Sequence, residues 1–108
     1  MGGKKNKMRY YGVRWELPIE VWGSGTNAGK LIWKQTQDVY STKKYKTKYG
    51  AFSFFWSKTF LKIHKIIPTQ EYNRFLDFHS WRHKVKYLNN YDCEDKGKIK
   101  VEIFEIKD

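Results

Sequence analysis

The 108-residue chain has one cysteine, two prolines and two alanines, and 11 acidic residues against 22 basic ones. A lone cysteine, Cys93, excludes an internal disulfide framework and any multi-cysteine zinc site. Apolar runs extend only a few residues, so no segment reads as a membrane span and no membrane partner is expected. No apolar stretch follows the basic start MGGKKNKMRYYG, so a secretory leader is not expected. The chain is read as cytoplasmic, with Cys93 reduced. The opening Met1-Gly2-Gly3 fails as a myristoylation pattern because Asn6 stands where Ser or Thr is needed. Lys outnumbers Arg 18 to 4, Ala and Pro are scarce, and Ile, Tyr, Phe and Asn are plentiful. The favoured residues have AT-rich codons, which points to an AT-rich genome such as a low-GC bacterium or its phages and plasmids.

Aromatic residues are abundant: five Trp, eight Tyr and seven Phe make up 19% of the chain. Disordered basic tails lack such rings, so a folded core is expected. The length suits one domain. The expected organisation is a flexible basic tail over residues 1–7 and a single α+β domain over 8–108.

Hydropathy alternates from residue 11. Tyr11, Val13, Trp15, Leu17, Ile19 and Val21 share one face, and Arg14, Glu16 and Glu20 the other, which is a strand pattern. Pro18 lacks an N–H and implies an edge strand or a break. After the glycine-rich turn at 23–29, residues 31–40 read as a second, antiparallel strand. Residues 43–49, KKYKTKY, alternate again, as a third strand or an extended loop. From Phe52 the period becomes helical, with Phe52, Phe55, Trp56, Thr59, Phe60, Ile63 and Ile67 on one side. Pro68 ends that helix, and Thr69 is the expected N-cap of a second one running to about Leu88. Its buried stripe would be Phe75, Phe78, Trp81, Val85 and Leu88. Residues 98–106 alternate as a last strand. The order β-β-(β)-α-α-β predicts an α+β fold, a small antiparallel sheet (N-terminal hairpin or meander plus C-terminal strand) packed against two helices. Trp15, Phe55, Trp56, Phe60, Phe75, Phe78 and Trp81 are the expected core rings.

Motifs for chemistry are thin. GSGTNAGK resembles a phosphate loop but has Ser24 where Gly is required, Leu31 in place of the hydroxyl, and a strand after it. His79 and His83, four apart on the expected second helix, suit a metal pair, yet no further ligands complete a familiar set. Asp92, Glu94 and Asp95 crowd Cys93 and disfavour its thiolate. No catalytic residue, metal ligand or cofactor is therefore assigned, and the protein is expected not to be an enzyme.

The strongest functional pattern is basic and aromatic. On a strand, Lys44, Lys46 and Lys48 would repeat every ~6.6–6.8 Å, a spacing comparable to the phosphates of one nucleic-acid strand. Lys43 adds charge, and Tyr45 and Tyr49 could stack on bases. Arg82, Lys84 and Lys86 form a second patch. The N-terminal Lys4, Lys5, Lys7 and Arg9 form a third, as a mobile arm. The nucleic-acid-binding set is thus Lys43, Lys44, Tyr45, Lys46, Lys48, Tyr49, Arg82, Lys84 and Lys86. The bland alternative is a solvated Lys-rich surface inflated by AT-rich coding.

The reading is a small non-enzymatic protein that binds nucleic acid or a nucleoprotein complex, with RNA or single-stranded DNA ahead of duplex. A phage- or plasmid-encoded inhibitor of a host nucleic-acid machine, of the anti-CRISPR kind, fits the composition. Such a basic inhibitor would not be a DNA mimic. An acidic protein surface is a further candidate partner of such a basic protein. The alternatives are a protein-protein interaction module using exposed aromatics, with its charge serving solubility, and a small nuclease. Residues 1–91 carry a net charge of +13 and residues 92–108 of −2. The chain is electrically polar if the acidic end lies opposite KKYKTKY.

Overall fold

The computed structural model describes residues 8–107; the expected tail at 1–7 lies outside the described residues. The first arm of alternating residues forms two strands, β1 (Tyr10–Glu16) and β2 (Pro18–Trp22), and the break falls at Leu17, immediately before Pro18. The second arm likewise forms β3 (Leu31–Gln35) and β4 (Val39–Tyr40) instead of the single strand expected over 31–40. β2 pairs only with β3 in a two-stranded sheet, from Pro18 opposite Gln35 to Trp22 opposite Leu31. β4 pairs with β1, with Trp15 opposite Val39.

Together these four strands are one long hairpin with a bend. Between the two paired regions, Glu16 and Leu17 face Thr36, Gln37 and Asp38, so the second arm holds one extra residue, as in a β-bulge. Thr36 secures the bend from both ends. Its hydroxyl accepts from the Leu17 N–H at 2.8 Å, and its own N–H donates to the Leu17 carbonyl at 2.9 Å. The extra residue also explains the imperfect alternation of 31–40, because it shifts the side chains of β4 relative to those of β3.

β5 (Lys100–Ile106) pairs antiparallel with β1 along seven residues, giving a three-stranded sheet in the order β4-β1-β5. Gly12 lies opposite Phe104, and a Cβ there would come within 2.9 Å of the Phe104 ring. The glycine therefore makes room for the aromatic on the neighbouring strand.

Helix α1 (Lys48–Ile66) starts four residues before the expected Phe52. The cause is Thr47, whose hydroxyl accepts from the Gly50 N–H at 2.9 Å and so caps the first turn. Ile67 and Pro68 end it. Pro68, not Thr69, occupies the N-cap of α2 (Thr69–Leu76). The expected second helix is two helices. The chain leaves helical geometry at 77–80 and restarts as α3 (Trp81–Asn90), capped by the Ser80 hydroxyl on the Arg82 N–H at 3.1 Å. The break folds α3 back, bringing Tyr87 within 5.4 Å of Phe75 and 5.5 Å of Phe78, ring centre to ring centre.

The fold is α+β: an antiparallel sheet packed against three helices, with α1 across β1 and β5 and α3 along β5. The core joins Val13, Leu17 and Val101 from the sheet region to Phe55, Ile63 and Ile66 of α1 and to Phe75 and Leu88. Removing a ring as buried as Phe55 typically costs ~3–5 kcal/mol. Phe60, expected in the core, is 40% exposed, whereas Trp56, Phe78 and Trp81 are half-buried at its margin. Phe60 faces outward because α2 covers α1 through Tyr72 and Phe75, which meet Trp56.

Candidate nucleic-acid interface

The 43–49 segment does not form a strand. Tyr45 makes a single bridge to Tyr11, with paired backbone bonds of 2.7 and 2.9 Å, and the chain then enters α1. The straight row expected of Lys44, Lys46 and Lys48 is therefore absent: Thr47 caps a helix, which turns Lys48 and Tyr49 away from any strand direction. Lys44 and Lys48 lie 5.8 Å over the rings of Tyr10 and Tyr11, respectively. Tyr45 is half-buried, with its ring 5.9 Å from Phe54. Lys43 and Lys46 are exposed, and Tyr49 is 64% exposed, so of the two tyrosines only Tyr49 presents an open ring.

The second expected patch is elsewhere. Arg82 stacks 4.7 Å over Trp81, and Lys86 is exposed. Lys84 is half-buried and its ammonium donates to the Phe78 carbonyl, which ties the 77–80 connection to α3. Because α3 runs along β5 while residues 39–45 lie on the other side of β1, the two clusters occupy different edges of the sheet. They approach each other where Phe52 meets Trp81, at 6.4 Å.

Three lysines outside the expected set extend the first cluster. Lys58, Lys62 and Lys65 recur at i, i+4 and i+7 on α1 and form one stripe. Lys58 lies 5.6 Å over the Phe54 ring. Lys58 and Lys62 line a hollow of about 270 Å³ between α1 and β4, with Trp15, Val39, Tyr40 and Phe54. Lys62 and Lys65 line a second hollow, of about 410 Å³, between α1 and the β2–β3 hairpin, with Ile19, Glu20, Trp33 and Leu61. From Lys48 to Lys65 the helix rises ~25 Å. Both arms of the bent hairpin face this helix across the two hollows, and the seam between them carries the lysines.

The helix side of the seam is purely basic, and Glu20 faces it from the hairpin. Residues 39–70 hold seven lysines and no Asp or Glu. Among the described residues the ion pairs are Arg14 with Glu102 at 2.5 Å and Lys100 with Glu16 at 3.9 Å, and none involves Lys58, Lys62 or Lys65. The helical stripe and the acid-free stretch were both present in the sequence. Such a stripe is by itself the ordinary solvent face of an amphipathic helix, because nothing local shows that β4 and the hairpin lie beside it.

His79 lies in the 77–80 connection and His83 on α3, so they do not share a helix face as expected, and both are exposed. Among the described residues no group of three or more His, Cys, Asp or Glu is arranged to hold a metal ion. Cys93 is buried, and burial pushes its thiol above the usual range, with Asp92 adding to the effect. No described helix is long and apolar enough to cross a membrane. No protein family, curated protein or solved structure matches this chain.

Proposed function

We propose that this protein acts by binding nucleic acid, alone or within a nucleoprotein, along the α1 seam. The observation that carries the reading is the set of α1 lysines, Lys48, Lys58, Lys62 and Lys65, which have no carboxylate partner among the described residues and lie in a stretch that holds no acid. Uncompensated like charges repel and destabilise a fold, whereas a polyanion laid along them relieves that repulsion. Lys43, Lys44 and Lys46 continue the seam beyond the N-terminus of α1. Arg82 and Lys86 form a separate contact across Phe52 and Trp81. Tyr45 and Lys84 serve structure within this arrangement. The buried Cys93 and the separated histidines favour binding over catalysis. The AT-rich composition suits a phage- or plasmid-encoded protein that grips the RNA, DNA or nucleoprotein of a host machine.

A salt series on single-stranded RNA, single-stranded DNA and duplex DNA tests the reading. Phosphate contacts make log affinity fall linearly with log salt, by about 0.7 per phosphate on a single strand. Replacing Lys58, Lys62 and Lys65 together with Gln should flatten that slope by about 2. An unchanged slope would move the contact away from the seam.

A second reading has one specific observation in its favour. Trp22 and Leu31, opposite each other at the hairpin tip, are 70% and 53% exposed. Such a pair is a natural anchor for a protein partner. If Trp22→Ser abolishes a pull-down that the lysine variant leaves intact, the protein-docking reading replaces the first.

A further inference from the structure

The two hollows beside α1 share Lys62 and repeat one arrangement. Each has an apolar or aromatic wall and is lined by lysines from the stripe. In the first, the wall is Trp15, Val39 and Phe54, with Lys58 and Lys62. In the second, it is Ile19, Trp33 and Leu61, with Lys62 and Lys65. Glu20 also lines the second hollow, on the hairpin side. Its negative charge repels a phosphate there and leaves the α1 side for it. Lys96 lies 5.5 Å over the Trp33 ring and adds a cation near the same wall. Leu61 is 65% exposed, a large apolar side chain held at the surface between lysines.

A repeating unit of cation and apolar recess fits a polymer whose repeating unit is anion and flat ring. Lys58 to Lys62 rises ~6 Å and Lys62 to Lys65 ~4.5 Å along the helix. A base can enter such a recess only if it is unpaired and unstacked, which excludes an intact duplex. Resting on the nucleic-acid reading above, we propose that the seam binds a single strand, with its phosphates on Lys58, Lys62 and Lys65 and one base in each hollow. An acidic peptide would satisfy the charges but has no reason to match the repeat.

The experiment compares three fluorescein-labelled probes by anisotropy at one near-physiological salt concentration. They are a 12-nucleotide oligo(dT), the same strand with all bases removed, and a 12-residue peptide alternating Glu and Tyr. Base contacts are worth about ten-fold or more in affinity, so oligo(dT) should bind at least that much more tightly than the abasic strand. Leu61→Ser, which strips the wall of the second hollow alone, should remove about half of this difference on a logarithmic scale without changing the salt slope. Leu76→Ser, which removes another exposed leucine, on α2, should leave it intact. Equal binding of the two strands overturns the base pockets, and no effect of Leu61→Ser overturns the arrangement of one base in each hollow, while either result leaves the phosphate contacts standing. Peptide binding as tight as that of oligo(dT) overturns base recognition in favour of an acidic protein segment. If no strand binds more tightly than ~10⁻⁴ M, the nucleic-acid reading itself fails.

Discussion

Cys93 shows how one side chain's surroundings set its chemistry. It is buried beneath an acidic turn in which Glu94 takes a left-handed φ of 58° and its N–H donates to the Asp92 carboxylate at 2.8 Å. Burial raises its pKa, so an aromatic disulfide reagent should label it far more slowly in the folded protein than in urea. Equal rates would contradict the packing. The same physics acts on Tyr72, Tyr87 and Tyr91. Burial raises all three, and Tyr91 is pushed up to about 12 with help from a hydrogen bond to Glu71. The unfolded chain releases these protons at lower pH than the folded one does. The stabilisation is therefore fully present below pH 9 and declines as pH rises from there through about 12. Thermal melts across that window should show a steady alkaline loss. A flat profile would mean that these groups stay accessible.

At the level of elements, the most informative contact is between α3 and β5. The Asn89 side-chain amide donates to the Val101 carbonyl at 2.9 Å and accepts from the Val101 N–H at 2.8 Å. It pairs with the outer edge of β5 as a neighbouring strand would, and it satisfies two backbone groups of an otherwise open edge. Asn89→Ala should cost about 1–3 kcal/mol, read as a lower urea midpoint at unchanged m-value. Asn89→Asp keeps the acceptor and loses the donor, so it should fall between the two. If neither variant moves the midpoint, the edge is being satisfied by water. This contact depends on the break at 77–80. The Phe75, Phe78, Trp81, Val85 and Leu88 periodicity reads straight through that break, and Ser80 is the only local residue that marks it. Likewise, Thr47 marks the true start of α1, although the basic alternation on either side of it argues for a strand.

Across the whole molecule, charge is distributed by the order of the sheet. β5, with Glu102 and Glu105, lies on one side of β1, and residues 39–45 lie on the other. The β5 edge is not an acidic face, however, because α3 runs along it with Arg82, Lys84 and Lys86, and Arg14 pairs with Glu102. Arg14 and Lys100 answer Glu102 and Glu16, whereas Lys58, Lys62 and Lys65 form no ion pair among the described residues. Salt should stabilise such a protein, because self-repulsion is screened within ~10 Å at 0.1 M. Raising salt from low to physiological strength should raise Tm, and a short polyphosphate at low salt should raise it further. The Lys58/Lys62/Lys65→Gln variant should start from a higher Tm and respond less to both. A wild-type Tm that falls with salt would show that the lysines are not in mutual strain.

The sequence alone determined which face each segment would bury. The alternation from Tyr11 to Val21 placed Val13, Trp15 and Leu17 in the core, and the helical period placed Phe55 and Ile63 there. It also fixed the α+β class and the basic character of residues 39–70. Side-chain periodicity is local, so a single chain carries it in full. Only the tertiary structure decided how those segments meet. The one-residue bulge opposite Leu17, the fold-back at 77–80, and the placing of the bent hairpin beside α1 all depend on partners distant in sequence. That last arrangement turned an ordinary solvated stripe, Lys58, Lys62 and Lys65, into the wall of a seam. It also took Lys48 out of the row in which its neighbours had placed it, because a capped helix turn outweighs a short alternating pattern.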